Sequence, residues 1–205
     1  MLSSTPHPSM EIVLFSQGMT KGLRQSEGPQ LLIHPEVAVG PLFVGGYFKN
    51  VTSTSADGEA AVLAGVRHRV AGFDIAASAA YEWNTGSPAG YDNDRIELNA
   101  TVSRRIGLVT PRVSVTWSPN DFGTTRQSVF AEAGAAVALF PGASVSASVG
   151  WREREGAPDY TAFNAGATYA FTRNLSADVR YYDTAQNSLG ATYEPRVVAS
   201  VRAHF

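Results

Sequence analysis

Residues 195–205, Pro-Arg-Val-Val-Ala-Ser-Val-Arg-Ala-His-Phe, decide how the whole chain is interpreted. Every second residue counted back from Phe205 is apolar, and the residues between them are mostly polar or charged. A period of two is typical of a strand with one apolar face and one polar face. This stretch alone would also suit the last strand of a soluble sandwich, so the fold depends on how often the pattern recurs.

The same alternation recurs throughout the chain, most clearly at residues 73–83. No helical period of useful length interrupts it, and no linker divides the chain. We therefore predict one all-β domain over residues 10–205, preceded by a disordered extension, residues 1–9. This extension lacks the regions of a signal peptide and is interpreted as the start of a mature chain. The predicted strands lie near 10–20, 30–39, 42–50, 59–70, 73–84, 94–105, 109–118, 127–139, 143–153, 160–171, 175–185 and 195–205.

The predicted connections alternate between short turns and longer polar loops. The longer ones are residues 21–29, 51–58, 85–93, 119–126, 154–159 and 186–194. Tight turns at one end and long loops at the other are typical of an antiparallel up-and-down transmembrane barrel, with periplasmic turns and extracellular loops. Soluble up-and-down barrels such as lipocalins have eight strands, whereas about twelve are predicted here.

The composition agrees with a membrane barrel and argues against several other classes. A net charge of −2 gives no nucleic-acid-binding footprint. No run of 18 apolar residues is present, so the sequence excludes a transmembrane helix, whereas alternating barrel strands have unremarkable hydropathy. Because the chain has no cysteine, disulfides and thiolate metal sites are impossible. The histidines show no metal-ligand spacing, and we predict neither a metal nor a cofactor.

Charged residues in the alternating strands predict which face of the sheet is inside. Arginine or lysine on the lipid face at the bilayer midplane would cost about 2–4 kcal/mol. In a soluble core, an unpaired buried charge would cost several kcal/mol. We therefore predict that the apolar face contacts lipid and that the polar face lines a lumen. The predicted pore-lining residues are Arg67, Glu97, Arg112, Glu132, Arg152, Asp178, Arg180, Arg196 and Arg202.

Aromatic residues on the apolar face predict the two membrane boundaries. Phe73 and Trp83 are separated by roughly 25 Å along the membrane normal, at about 3.3 Å per residue and a tilt near 40°. This is the height of an outer-membrane apolar band, and aromatic rings favour the headgroup region. The alternative is that aromatics simply cap strands in any β-protein. The predicted girdle comprises Phe73, Trp83, Trp117, Trp151, Tyr169, Phe171, Tyr181 and Phe205.

The lumenal arginines leave two interpretations open. Arg69 should pair with Asp74 across the turn at residues 71–72, but the other lumenal arginines have no obvious partner close in sequence. If carboxylates elsewhere in the barrel pair with them, they stiffen the wall. If they are unpaired in a constriction, they favour anions. Small residues at many inward positions favour a narrow aqueous pore over a filled lumen.

Four stretches resemble a known family: residues 15–28 (Phe-Ser-Gln-Gly-Met-Thr-Lys-Gly-Leu-Arg-Gln-Ser-Glu-Gly), residues 44–47 (Val-Gly-Gly-Tyr), residues 179–184 (Val-Arg-Tyr-Tyr-Asp-Thr) and the closing strand. Together they are similar, nearly end to end, to the TorF-like porin family of Gram-negative bacteria, whose function is otherwise unknown. Here Lys21-Gly22-Leu23-Arg24 replaces the commoner Phe-Arg-Gly type of run. The resemblance implies an outer-membrane barrel with porin activity and carries over no catalytic residue.

We predict that the chain is a channel of the bacterial outer membrane for passive diffusion of small hydrophilic solutes, with anion preference if the lumenal arginines are unpaired. The alternative is a closed barrel that acts in adhesion or binding through its extracellular loops. Enzymatic activity is not predicted, because no motif supports a nucleophile at Ser200 near His34 and His204. The expected partners are lipid and lipopolysaccharide, small solutes, and the barrel-assembly machinery through the strand ending at Phe205, without nucleic acid.

Overall fold

Twelve antiparallel strands close into one barrel in the computed structural model, which describes residues 5–205. Each barrel strand pairs with the next along the chain, and β1 closes the barrel against β14. The barrel strands are β1 (His7–Phe15), β4 (Gln30–Val39), β5 (Leu42–Asn50), β6 (Gly58–Val70), β7 (Phe73–Thr85), β8 (Asp94–Arg104), β9 (Val109–Ser118), β10 (Ser128–Phe140), β11 (Ala143–Arg154), β12 (Tyr160–Ala170), β13 (Leu175–Asp183) and β14 (Arg196–His204). The predicted all-β barrel of about twelve strands is confirmed.

The remaining regular elements lie in the connections at the long-loop end. Two short strands, β2 (Met19–Thr20) and β3 (Leu23–Arg24), form a separate hairpin between β1 and β4. Two 3₁₀ turns, Asn187–Leu189 and Ala191–Tyr193, precede β14. Within residues 5–205, no helix is long and apolar enough to cross a membrane.

The predicted strand boundaries hold except at the start of the chain. From β4 onward, every boundary lies within two residues of its predicted place. The first strand was predicted at residues 10–20 but runs over His7–Phe15, because the alternation at Met19–Thr20 belongs to the separate hairpin. The prediction that residues 1–9 form a disordered extension is therefore wrong for residues 7–9, which pair with β4. Residues 1–4 lie outside the described residues.

The two faces of the barrel wall have opposite polarity. Apolar side chains on the outside are largely exposed in the isolated chain, as at Leu42 (57%) and Val197 (66%). Charged side chains lie on the inner face instead, and several of them are buried, as at Glu59 (1%) and Arg152 (6%). Soluble proteins rarely expose contiguous apolar patches larger than a few hundred Å². A barrel with an apolar exterior and a charged interior is stable in a lipid bilayer.

The turn between β6 and β7 shows how the tight connections set the strand register. Ala71 and Gly72 both adopt positive φ angles, 50° and 79°, which is typical of the two-residue turns that suit twisted antiparallel strands. The turn places Arg69 directly opposite Asp74. The Arg69 Nε donates a hydrogen bond of 2.7 Å to Asp74 Oδ1. The pair expected from the sequence therefore forms.

The orientation of the wall gives a direct stability test on neighbouring residues of β9. Val113 points outward and is 55% exposed, whereas Ser114 lines the lumen. We expect Val113→Arg to lower the free energy of unfolding by about 2–4 kcal/mol, because its guanidinium would lie in the acyl chains. Ser114→Arg should cost clearly less, since its guanidinium reaches water. Urea titration of both variants refolded in phospholipid vesicles measures the difference, and equal losses would contradict this orientation.

Candidate functional site

The connection between β1 and β4, residues 16–29, folds back into the barrel and is called the inner loop here. Its hairpin turns at Lys21 and Gly22, whose φ angles are 49° and 84°. Gly22 lies so close to Ala162 of β12 that any side chain at this position would collide with it. Leu23 is buried in an apolar cluster with inward-facing residues of the wall and with Tyr193 of the connection before β14. That cluster comprises Leu23, Phe130, Tyr160, Ala162 and Tyr193.

Polar contacts fix the inner loop to opposite walls of the barrel. Lys21 forms an ion pair with Glu97 of β8, and Gln25 Nε2 donates a hydrogen bond of 2.5 Å to Glu59 Oε2 of β6. Across the lumen, the Tyr160 hydroxyl of β12 donates to the Lys21 carbonyl oxygen at 2.8 Å. Because the loop contacts both sides of the barrel, it spans the lumen near the long-loop end.

A buried set of charged side chains surrounds the inner loop and is called the charge network. Arg95 is at its centre: its Nε donates to Glu82 at 2.7 Å and its Nη1 donates to Asp121 at 2.6 Å. Asp121 also accepts a hydrogen bond from Arg152 of β11. The network comprises Lys21, Lys49, Arg95 and Arg152 with Glu59, Glu82, Glu97 and Asp121. Four formal positive charges therefore balance four negative charges.

Two members of the charge network, Lys21 and Asp121, lie in connections outside the barrel strands, and the pKa of each is lowered for a different reason. Burial lowers the pKa of Lys21 to about 8, with added repulsion from Arg95, although Glu97 opposes the shift. Burial alone would raise the pKa of Asp121, but Arg95 and Arg152 outweigh burial and hold that pKa well below its usual value. At neutral pH, Lys21 is mostly protonated and Asp121 is ionised, so the network stays balanced.

Between the inner loop and the short-turn end, the lumen contains a cavity of about 550 Å³. Its wall is formed mainly by β9 to β13, and its end at the inner loop is formed by Met19, Lys21 and Gly22. Charged and amide groups of this wall include Arg112, Glu132, Asn164 and Arg180. Hydroxyl groups come from Ser103, Thr110, Ser114, Thr116, Ser146, Ser148 and Tyr182. Most residues that line the cavity therefore have a hydrogen-bonding side chain.

Each of the predicted pore-lining arginines lies within 4 Å of a carboxylate. Their partners are Glu36 for Arg67, Glu132 for Arg112, Asp121 for Arg152, Asp178 for Arg180, Glu194 for Arg196 and Glu11 for Arg202. The predicted residue Glu97 belongs to the charge network. This pairing agrees with the first of the two interpretations that the sequence left open, in which the charges stiffen the wall.

Three of these pairs are arranged asymmetrically towards the lumen. The side chains of Arg67, Arg112 and Arg202 are 52%, 51% and 53% exposed. Their carboxylate partners are more buried, at 10%, 15% and 27% for Glu36, Glu132 and Glu11 respectively. The guanidinium groups therefore face the water of the lumen, and the carboxylates lie behind them.

The predicted girdle residues all belong to the outward face and fall near the two ends of the strands. Phe73, Tyr169, Phe171 and Phe205 lie towards the short turns, where the rings of Tyr169 and Phe171 pack with centroids 5.1 Å apart. Trp83, Trp117, Trp151 and Tyr181 lie towards the long loops. Their contact with headgroups stays a prediction.

Ser200 and the two lumenal histidines do not assemble into a nucleophilic site. His34 and His204 both lie opposite Glu11 in neighbouring strands, whereas Ser200 lies opposite Phe15. Among residues 5–205, no hydrogen bond joins Ser200 to either histidine. Neither histidine is therefore placed as a base for the Ser200 hydroxyl.

The sequence reasoning missed five members of the charge network, including Lys49 and the central Arg95, neither of which was proposed as lumenal. Lys21 and Asp121 were both placed in extracellular loops, and Glu59 was not proposed as a lumenal charge. One signal was available for Lys21: Lys21-Gly22 lies between two short alternating pairs, which is compatible with a tight hairpin. Asp121 carried no such signal, because its partners lie 26 and 31 residues away in sequence.

Comparison with known proteins agrees with this architecture. Residues 3–205 match a family described as "Bacterial protein of unknown function (Gcw_chp)". No curated protein matches the sequence.

Several solved structures share the fold at low sequence identity. The KdgM porin has a TM-score of 0.67 at 10% identity, over 96% of this chain and 99% of that chain. A second structure of that porin is a complex with disordered oligogalacturonate. The NanC porin has a TM-score of 0.61 at 6% identity, over 95% and 97%. An outer-membrane channel from Pseudomonas putida F1 has a TM-score of 0.55 at 12% identity, over 99% and 96%. The chain therefore has the fold of an outer-membrane porin.

Proposed function

We propose that this chain, which belongs to the Gcw_chp family of bacterial proteins, is an outer-membrane channel for passive diffusion of small hydrophilic solutes. The observation that carries this proposal is the polar cavity of about 550 Å³ inside a barrel whose outer face is apolar. A wall rich in hydroxyl, amide and charged groups suits hydrated solutes. The inner loop narrows the path towards the long-loop end and is the proposed constriction.

The proposed channel prefers anions weakly. Each lumenal arginine is paired, so the wall has little net charge from these groups. The exposed guanidinium groups of Arg67, Arg112 and Arg202 nevertheless lie closer to the lumen than their carboxylates. A passing anion therefore meets N–H donors first, and a passing cation meets the buried carboxylates only at longer range.

A closed barrel that acts through its loops is the second candidate. It is favoured by the packing of the long-loop half, where Glu59, Ser26 and Tyr160 are at most 2% exposed. In that case the inner loop and the charge network would seal the lumen, and the outer loops would bind a partner. We also propose that the strand ending at Phe205 is recognised by the barrel-assembly machinery and that the chain has no enzymatic activity.

Single-channel recording of the refolded barrel in planar bilayers tests the channel proposal. We expect discrete conductance steps, with a reversal potential in a salt gradient that indicates weak anion preference. Replacing Arg67, Arg112 and Arg202 together by Gln should shift the reversal potential in the direction of cation preference, because the exposed donors are lost while their carboxylates remain.

The matched control is Arg69→Gln, which removes an arginine paired with Asp74 at the turn and should leave the reversal potential nearly unchanged. Heat-modifiable mobility in gels shows that each variant has folded. Correctly folded barrels that never conduct would overturn the channel and favour the closed barrel. A triple variant with the same reversal potential as the parent would overturn the anion preference alone.

A further inference from the structure

The cavity beneath the inner loop has the size of a small-molecule site. Its volume of about 550 Å³ lies within the usual range of about 300–1,000 Å³ for such sites. The inner loop and Phe130 border it towards the long loops, and the charge network apart from Lys21 lies beyond them. At the other end, the half-exposed Arg112 marks its connection to the wider lumen. A solute entering from the short turns would therefore reach the proposed constriction at the inner end of this cavity.

Positive charges reach this cavity from three separate parts of the structure. Lys21 comes from the inner loop, Arg112 from β9 and Arg180 from β13. Their ion-pair partners are placed unevenly: Glu132 lines the cavity, whereas Glu97 and Asp178 are not among its lining residues. The lining thus has three cations and one carboxylate, a difference of two positive charges. An anionic group in the cavity would therefore meet more cations than carboxylates in its wall.

Arg180 is held in one position by the surrounding polar groups. Its Nη1 donates to Asn164 Oδ1 at 2.8 Å, and its Nη2 donates to Ser146 Oγ at 2.9 Å and to Asp178 Oδ2 at 3.0 Å. A guanidinium fixed in this way loses little conformational entropy when a ligand binds. Arg112 differs, because within the described structure its only polar partner is Glu132, reached through Nη2. Its other N–H groups are available to a ligand.

Hydroxyl groups complete the lining. Thr116, Ser146 and Ser148 already take part in hydrogen bonds within the wall. In the part of the chain that the structure describes, the hydroxyls of Thr110, Ser114 and Tyr182 have no such partner, although all three line the cavity. Hydroxyl groups can both donate and accept, so they match the hydroxyls of a polyhydroxylated molecule. An apolar ligand would leave them without partners, which is unfavourable.

We propose that this cavity is a binding site for a small hydroxylated organic anion, a molecule that carries one acidic group and several hydroxyls. Lys21, Arg112 and Arg180 bind the acidic group, and the hydroxyl-bearing wall binds the rest. The inference rests on the proposed channel function, because it makes the cavity a stopping point on the solute path. The channel would then select its solutes by binding as well as by size.

Three probe molecules separate the two parts of this recognition. Gluconate has both a carboxylate and a chain of hydroxyls, sorbitol has the same six-carbon chain without the charge, and acetate has the charge without the hydroxyls. Isothermal titration calorimetry of the detergent-solubilised barrel at pH 6.5, where Lys21 is protonated, measures each affinity. We expect gluconate to bind at least about tenfold more tightly than sorbitol, because sorbitol lacks the charge-assisted contact. Gluconate should also bind more tightly than acetate, because acetate lacks the hydroxyl contacts.

Variants locate the binding in this cavity. Arg180→Gln should weaken gluconate binding about tenfold or more, whereas the control Arg69→Gln, which lies outside the cavity, should bind as the parent does. Arg112→Gln serves the same purpose if the Arg180 variant does not fold, as judged by heat-modifiable gel mobility. Equal affinity for gluconate and sorbitol, absence of gluconate binding, or equal effects of the cavity and control variants would each overturn the proposed site.

This outcome is independent of the conductance measurement. A barrel that conducts but does not bind gluconate would contradict the binding site and leave the channel intact. A barrel that binds gluconate but never conducts would contradict the channel, and the cavity would then serve a closed, solute-binding barrel.

Discussion

Replacing the tip of the inner loop, residues 19–24, by two glycines is expected to raise the single-channel conductance several-fold. The tip fills the lumen near the long-loop end, where Leu23 packs against Tyr160 and Lys21 pairs with Glu97. The ends of the deleted segment are already adjacent, because Gln25 N donates a hydrogen bond of 2.8 Å to Gly18 O. The barrel can therefore close around the shorter connection without a change in strand register.

The same change should alter ion selectivity in a defined direction. Removing Lys21 leaves three positive and four negative charges in the charge network, so the constriction gains a net negative charge. We expect the reversal potential to move towards cation preference together with the rise in conductance. A structural disturbance elsewhere in the barrel would not produce this shift.

A matched control replaces six exposed residues of an outer loop, 185–190, by two glycines as well. That variant should conduct as the parent does, because its missing residues lie outside the lumen. If the inner-loop variant also conducts as the parent, the inner loop is not the constriction. If both variants conduct more, the effect comes from loop shortening in general.

The strands could be predicted because a membrane barrel has an alternation that is local in sequence. Within each strand, the alternation itself shows which residues face lipid. The charges on the other face exclude the opposite orientation, in which they would contact lipid. The error at β1 has the same origin. Met19 and Thr20 continue an alternating pattern, but their partners are Arg24 and Leu23 of the hairpin rather than a barrel strand. Alternation predicts a strand without predicting the strand with which it pairs.

The filling of the lumen could be predicted only in part: strand phase marks Phe43 and Phe130 as bulky inward residues that narrow it locally, but not the positions against which they pack. Small inward residues indicated an open interior, and Gly65 and Gly150 belonged to that argument. In the structure, the Phe43 ring occupies the space beside Gly65 and the Phe130 ring occupies the space beside Gly150. Both phenylalanines are buried. A glycine shows that a side chain is absent, but the residue that uses the space comes from a neighbouring strand.

The charge network illustrates the same limit for loop residues. Asp121 lies between β9 and β10, where no periodic pattern predicts the direction of a side chain. Its role arises because the connection turns inward and brings the carboxylate between Arg95 of β8 and Arg152 of β11. Sequence reasoning identified Arg152 as lumenal from its phase in the strand, but its partner became evident only from the closed barrel.

Asp121→Asn is expected to lower the free energy of unfolding by about 3–5 kcal/mol, the usual cost of removing one partner from a buried ion pair. Asp121 is 3% exposed and contacts two guanidinium groups, Arg95 and Arg152. Asparagine keeps the shape of the side chain, so the loss reports the missing charge rather than a cavity. The network would then have four positive and three negative charges in a buried position.

Urea titration of the variant refolded in phospholipid vesicles measures this loss, with Glu155→Gln as the control. Glu155 pairs with Arg126 at 3.3 Å on the surface, where both side chains are more than half exposed, and such pairs contribute at most about 1 kcal/mol.

The pKa of Asp121 lies below its ordinary value of 3.8. Its stabilising effect is therefore fully present above that value and declines as the pH falls towards the lower folded-state pKa. The gap between parent and Asp121→Asn should narrow below about pH 4, and a gap that stays constant to lower pH would show that the carboxylate charge is not its source.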